Sequence, residues 1–307
     1  MEKTITKTSV VAALALLCCA LWGSAFPAVK VGYELFQIET VGSQILFAGY
    51  RFLLAGIFTL LIACMFEKKM VTLKRSSVPY VFGQGILQTT IQYLFFYIGL
   101  ANTTGAKGSV INAANGFVAI VVASFLIKDE KMTWKKALGC IVGFAGVIII
   151  NLEPGAWGSG FSFMGEGMVL ICSIAYGTSS VTLKLISDRE KPMTLTAYQL
   201  IFGSVILVLI GWSAGGKITN FTGKSTALLM YMALLSTVAF SIWTILLKYN
   251  PVSKVTIFGF SIPVFGVALS GIFLGEQIFT LKNMIALLFV CAGIIIVNKR
   301  DQVAKHI

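Results

Sequence analysis

Charge is what this sequence has least of. Asp, Glu, Lys and Arg together make up 12% of its 307 residues, whereas soluble domains carry roughly a quarter, and that excludes an ordinary soluble globule. Histidine occurs once, as His306, so imidazole chemistry has no place in the body of the chain. There is no HExxH, no Ser/His pair, no phosphate-cradling glycine loop and no pair of carboxylates in the middle of an apolar run, and these absences remove the usual enzyme classes. No catalytic residue, no cofactor and no metal are therefore expected. The six cysteines, Cys18, Cys19, Cys64, Cys140, Cys172 and Cys291, all sit inside apolar runs. They show neither disulfide-framework nor metal-ligand spacing and read as small core residues.

What the chain does have is hydrocarbon: 57% of the residues are apolar and the mean hydropathy is +0.89. Apolar runs fall near 9–29, 42–66, 79–100, 106–127, 135–151, 164–186, 193–213, 226–247, 253–274 and 280–298. A run of about 20 residues crosses roughly 30 Å of hydrocarbon as a helix, so the expected fold class is an all-α integral membrane protein of ten transmembrane helices. The formal charge of +12 would suggest nucleic acid in a soluble protein, but Lys and Arg stand in short clusters between the runs, where topology explains them. Placing both termini in the cytoplasm puts eighteen basic residues on that side and five on the other, with Arg51 in mid-span. The expected location is a cell membrane, plasma or bacterial inner, crossed many times with both termini cytoplasmic. Lys3, Lys7, the first apolar run and Gly23-Ser24-Ala25 imitate a signal peptide; an internal repeat argues against cleavage.

The repeat appears at a shift of about 150 residues. Ala20-Leu21-Trp22-Gly23-Ser24 lies over Ile174-Ala175-Tyr176-Gly177-Thr178, and Lys30 over Lys184. Tyr50-Arg51-Phe52 lies over Tyr198-Gln199-Leu200, Lys107 over Lys254, and Gly146 to Asn151 over Gly293 to Asn298. The unit is five spans long, over 10–151 and 163–298 with a connecting loop at 152–162. Five is odd, so the second copy enters the membrane from the opposite side, and the halves become inverted repeats about an axis in the membrane plane. Exchange of conformations between such halves gives alternating access to a midplane site.

These residues resemble the EamA family of the drug/metabolite transporter superfamily. The resemblance rests on Trp22, Gly23 and Ser24 followed by Lys30, on Arg51-Phe52, on Glu130 within Lys128 to Thr133, and on Leu274-Gly275-Glu276 after Pro263. The second half departs with Tyr176 for Trp22 and Gln199 for Arg51, and the first has Gly116 where the second has Pro263. The resemblance implies two five-helix units and export or uptake of amino acids, other metabolites or drugs. The polar groups within the spans are mostly neutral amides and hydroxyls, so the expected function is a transporter, an exporter first, of small polar metabolites such as amino acids or their derivatives; a channel or a lipid scramblase is the alternative. The partners expected are a small-molecule substrate and the lipid bilayer, with no nucleic acid. GxxxG spacing at Gly139/Gly143 and Gly271/Gly275 permits a homodimer, with internal packing the favoured use.

Polar groups inside a span cost free energy unless paired or wetted, so they point to the cavity. Gln84, Gln88 and Gln92 recur at intervals of four and are expected on one face, with Gln88 and Gln92 deepest. Asn112 and Asn115, three apart, share a face near Ser109 and Gly116 and would suit a zwitterion or cap a broken helix. Trp22 and Tyr176 lie deep in equivalent spans and read as a paired gate, each beside a glycine that lets the backbone flex. Tyr93 and Trp243 are cavity candidates with core packing as the favoured role. Arg51 could meet an anion, although a structural bond to backbone carbonyls or a neighbouring span is favoured. Asp129, Glu130, Glu166 and Glu276 stand at span ends, so no midplane acid is available as a proton relay.

Overall fold

The computed structural model describes residues 2–103, 105–151, 162–274 and 281–298, and every regular element within them is helical. A short α1 (Glu2–Ile5) precedes α2 (Thr8–Phe36) and α3 (Val41–Glu67). Next come α4 (Val78–Gly85) and α5 (Gln92–Ala101), joined by a π turn over Ile86–Ile91, then α6 (Gly105–Leu126) and α7 (Trp134–Asn151). The second half runs through a π turn over Phe163–Gly167 into α8 (Met168–Ile186), then α9 (Pro192–Ser213) and α10 (Gly223–Tyr249). It ends with α11 (Val252–Thr256), a 3-10 turn over Ile257–Ser261, α12 (Ile262–Leu274) and α13 (Leu281–Asn298). The expected loop 152–162, Glu276, Lys305 and His306 lie outside the described residues apart from Ser162.

Local chemistry sets the boundaries. Thr40 accepts a bond from the Ser43 amide at the start of α3, and Thr222 with Ser225 forms a reciprocal cap at the start of α10, so orphan amides are satisfied before each helix begins. Pro192 occupies the first turn of α9, where its missing N–H costs nothing. Pro263 lies just after the 3-10 turn that separates α11 from α12, because a proline cannot donate to the carbonyl four residues earlier and crowds it. In the first half Gly116 holds the corresponding position and α6 runs through it without a break.

Five stretches, Thr8–Phe36, Val41–Glu67, Phe163–Ile186, Pro192–Ser213 and Gly223–Tyr249, are long and apolar enough to cross a membrane. Their outer faces carry exposed Leu61, Met65, Phe66, Leu209 and Trp212. Such a surface is unfavourable in water and natural against lipid.

The packing rests on glycines where backbones touch. A Cβ on Gly49 would sit 2.9 Å from the Val208 amide nitrogen, and one on Gly56 3.0 Å from that of Ile201, so α3 lies directly on α9. Likewise α7 lies along α13, where a Cβ on Gly293 would meet the Gly143 nitrogen at 2.7 Å and the Gly139 oxygen at 2.8 Å. The Gly139/Gly143 pair is thus consumed inside the chain, as close helix contact in a bilayer requires; Gly275 lies outside the described residues. Elsewhere α2 packs on α12 and α10, and α8 on α6 and α5.

Candidate functional site

Arg51 organises the interior. It lies midway along α3 and is 1% exposed. Its Nε–H is shared between Ser236 Oγ at 3.1 Å and the Met232 carbonyl at 3.3 Å, both on α10, while Nη1 donates to the Tyr97 hydroxyl at 3.1 Å on α5. The guanidinium carbon stands 4.8 Å from the centre of the Phe52 ring. Among the described residues no carboxylate pairs with it. The expected structural bond is present, and so is a face left toward open space.

That space is a small cavity lined by Trp22, Ala25, Phe26, Arg51, Gln92, Tyr93, Phe96, Asn112, Tyr176 and Ile262. Trp22 meets Tyr176 edge-on with ring centres 5.8 Å apart, and packs on Trp243 at 4.9 Å and Phe240 at 5.4 Å. Phe26 and Phe96 meet at 5.4 Å, and Tyr93 lies 3.9 Å from Phe52. The walls are therefore aromatic, with polar atoms left over: Trp22 Nε1, Trp243 Nε1, Tyr176 OH and Gln92 Oε1 are buried without a partner. A buried polar group without a bond costs free energy, so each awaits water or a ligand.

The structure brings Trp22, Arg51, Gln92, Tyr93, Asn112 and Tyr176 to one cavity and keeps the other three candidates off its wall. Trp243 stands behind Trp22. Asn115 turns its amide back to the Asn112 carbonyl, which is local capping rather than a second ligand group. Gln88 accepts from Gln84 at 2.8 Å, and Gln84 also donates to the Ser179 carbonyl and accepts from Thr182 on α8. Gln84 and Gln88 are thus tied to each other and Gln84 to α8, whereas Gln92, beyond the π turn over Ile86–Ile91, lines the cavity. The glycines beside the aromatic pair also need a different reading. A Cβ on Gly23 would lie 2.9 Å from the Gly266 nitrogen, and one on Gly177 2.6 Å from the Asn115 oxygen, so each allows close helix approach rather than flexing.

Sequence reasoning missed Phe26, Phe96, Tyr97 and Ser236. Phe26 is one helical turn after Trp22, and Tyr97 one turn after Tyr93, a spacing that puts each pair on one face; Ser236 gave no signal. The span-end carboxylate Glu130 is 5% exposed. It accepts from the amides of Val252 at 2.6 Å and Ser253 at 3.0 Å and from the Ser253 hydroxyl at 3.2 Å, capping α11. Glu166 accepts from Thr103 and from the Ser162 amide. Among the described residues no three potential metal ligands cluster.

A second polar cluster lies where α9 meets the π turn. Both side-chain atoms of Gln199, Gln88 Nε2 and Thr89 Oγ1 are buried without partners. At a shift of 148 residues Gln199 corresponds to Arg51, Gln88 to Ser236 and Thr89 to Thr237.

The profile of the EamA-like transporter family matches residues 9–152 and again 163–299. An uncharacterized transporter of Bacillus subtilis, YvbV, is 27% identical over 99% of this chain and 96% of its own length. One from Archaeoglobus fulgidus is 28% identical over 92% of this chain and 97% of its own. A solved crystal structure superposes with a TM-score of 0.78 at 15% identity, covering 94% of this chain and 96% of the other, a likeness of fold.

Proposed function

Because this chain belongs to the EamA-like transporter family, we propose that this membrane transporter exports small polar metabolites, amino acids and their derivatives first, by alternating access between two inverted five-helix repeats. Ten spans would place both termini in the cytoplasm of a cell membrane, with eighteen basic residues on that side against five on the other, in keeping with the positive-inside tendency.

The observation that carries the reading is the reciprocity of the packing. The first helix of one half, α2, packs on α12 and α10; the first of the other, α8, packs on α6 and α5. These are the fourth and third spans of the opposite half in each case. α3 with α9 and α7 with α13 pair equivalent spans directly. Together with a family profile matched twice in one chain, this supports a pseudo-twofold axis through the cavity, the arrangement in which swapping the halves' conformations moves the opening from one face to the other. Neutral amides and hydroxyls dominate the buried polar groups, and among the described residues Arg51 is the one charged side chain on the cavity wall, which favours a small polar solute over a phosphate, whose recognition calls for several cations.

In proteoliposomes challenged with radiolabelled amino acids and nucleosides, influx should saturate and rise when the same unlabelled solute is loaded inside. Flux that grows linearly with concentration, or that moves a fluorescent phospholipid between leaflets instead, would establish a channel or a scramblase.

A further inference from the structure

We propose that, within the class of amino acids and their derivatives, the cavity prefers organic monoanions, a carboxylate on an apolar body with its amine masked or absent, over the free zwitterions. The inference rests on the transport reading in taking this cavity as the substrate site. Charge comes first. Arg51 is buried and permanently cationic, and among the described residues the cavity wall around it holds no Asp, Glu or His. Its bonds to Ser236, Met232 and Tyr97 are all to neutral oxygens, and among the described residues Nη2 has no bond. A buried cation is costly when uncompensated, and an anion in the neighbouring space supplies the missing counter-charge. A guanidinium presents a planar fork that matches a carboxylate, so the remaining donors favour that group over a compact halide.

The second observation is the set of orphaned atoms. Trp22 Nε1 and Tyr176 OH are unpartnered on the cavity wall, and Trp243 Nε1 is unpartnered just behind it. Indole nitrogens can only donate, and a tyrosine hydroxyl can donate, so the unused capacity runs mainly toward accepting atoms. Gln92 offers an unpartnered oxygen, and rotation of its amide presents N–H instead. An ammonium group would find no carboxylate on this wall and would stand against Arg51. The remainder of the wall, Phe26, Tyr93, Phe96 and Ile262, offers apolar and π surface to a flat or branched body.

The test holds the body constant and varies charge. Phenylacetate, phenylalanine, phenethylamine and 2-phenylethanol are titrated onto the purified full-length protein in detergent, with binding read from tryptophan emission and from the thermal midpoint. Phenylacetate is expected to bind at least about tenfold more tightly than the other three, the scale of one charge-assisted bond. Arg51→Gln should erase the preference. Since that variant can also fail to fold, Trp22→Phe, which keeps a ring and removes the N–H, provides a second reading from the thermal midpoint: the ratio of phenylacetate to phenylethanol affinity should fall severalfold. Tighter binding of phenylalanine or phenethylamine, equal binding of all four, or binding of none to folded protein would overturn the inference. Anion-selective binding without saturable flux would instead overturn the transport reading and leave the selectivity standing.

Discussion

At the scale of single residues, stability and recognition are divided between two equivalent positions. Arg51 is held by Ser236, Met232 and Tyr97, whereas Gln199, its counterpart, has no bond at either side-chain atom. Ser236→Ala removes one acceptor and leaves the Met232 carbonyl, so about 1 kcal/mol should be lost, read as a lower unfolding midpoint in denaturant with folded protein still recovered. A loss several times larger would mean that Ser236 fixes more than the guanidinium. Gln199→Leu should do the opposite. Removing two buried unsatisfied groups at similar volume is neutral to stabilising, by up to about 1–3 kcal/mol, and it should slow turnover if the cluster must become wet in the opposite conformation. A destabilised but fully active variant would show that Gln199 has partners in the resting state. The cation itself was legible as the one charge in mid-span. Its ligands were not, because Tyr97 and Ser236 come from spans 46 and 185 residues away.

Elements behave as the apolar runs suggest until tertiary contact intervenes. The break before Pro263 is written in the sequence, since proline cannot continue the ladder. The π turn is not, for Ile86 to Ile91 carries no glycine or proline. What accompanies it is a close contact: a Cβ on Gly203 would approach the Gly85 carbonyl and Thr89 to within 2.4 Å, and Thr90 donates to the Gly203 carbonyl. That contact involves two spans, so the four-residue spacing of the glutamines alone did not separate Gln92, on the cavity wall, from Gln84 and Gln88, bonded to each other. Glu130 shows the same limit, visible as a span-end carboxylate yet bonded to α11 122 residues on. A carboxylate on helix amides is a charge-assisted cap, and Glu130→Gln, which keeps the shape and one acceptor, should cost about 1–2 kcal/mol. Hydrogen exchange will locate the effect. Faster exchange is expected over Val252–Thr256 with the other helices unchanged, and uniform protection would mean that α11 is held by packing alone.

For the whole molecule, orientation and alternation are the claims at stake. A cysteine in place of exposed Lys217 should react with an impermeant maleimide on intact cells, and one in place of exposed Lys69 should not; the reverse pattern would invert the topology. The doubled sequence pattern, Trp22 over Tyr176 and Arg51 over Gln199, points to two units, but which helices pack together depends on backbone contacts at Gly23 and Gly177 that only the packed chain reveals. Those contacts join α2 to α12 and α8 to α6, two of the seams along which the halves meet. Glu130, just after α6 in the first half, bonds Ser253 of α11 in the second, so cysteines at the two positions lie within reach of a short, reducible bifunctional thiol reagent in a background without the native cysteines. The decisive measurement is solute exchange by this double variant in proteoliposomes, bridged and then reduced. Alternating access predicts that the bridge halts exchange while ligand binding persists, and that reduction restores it. Undiminished exchange through the bridged protein would contradict the account.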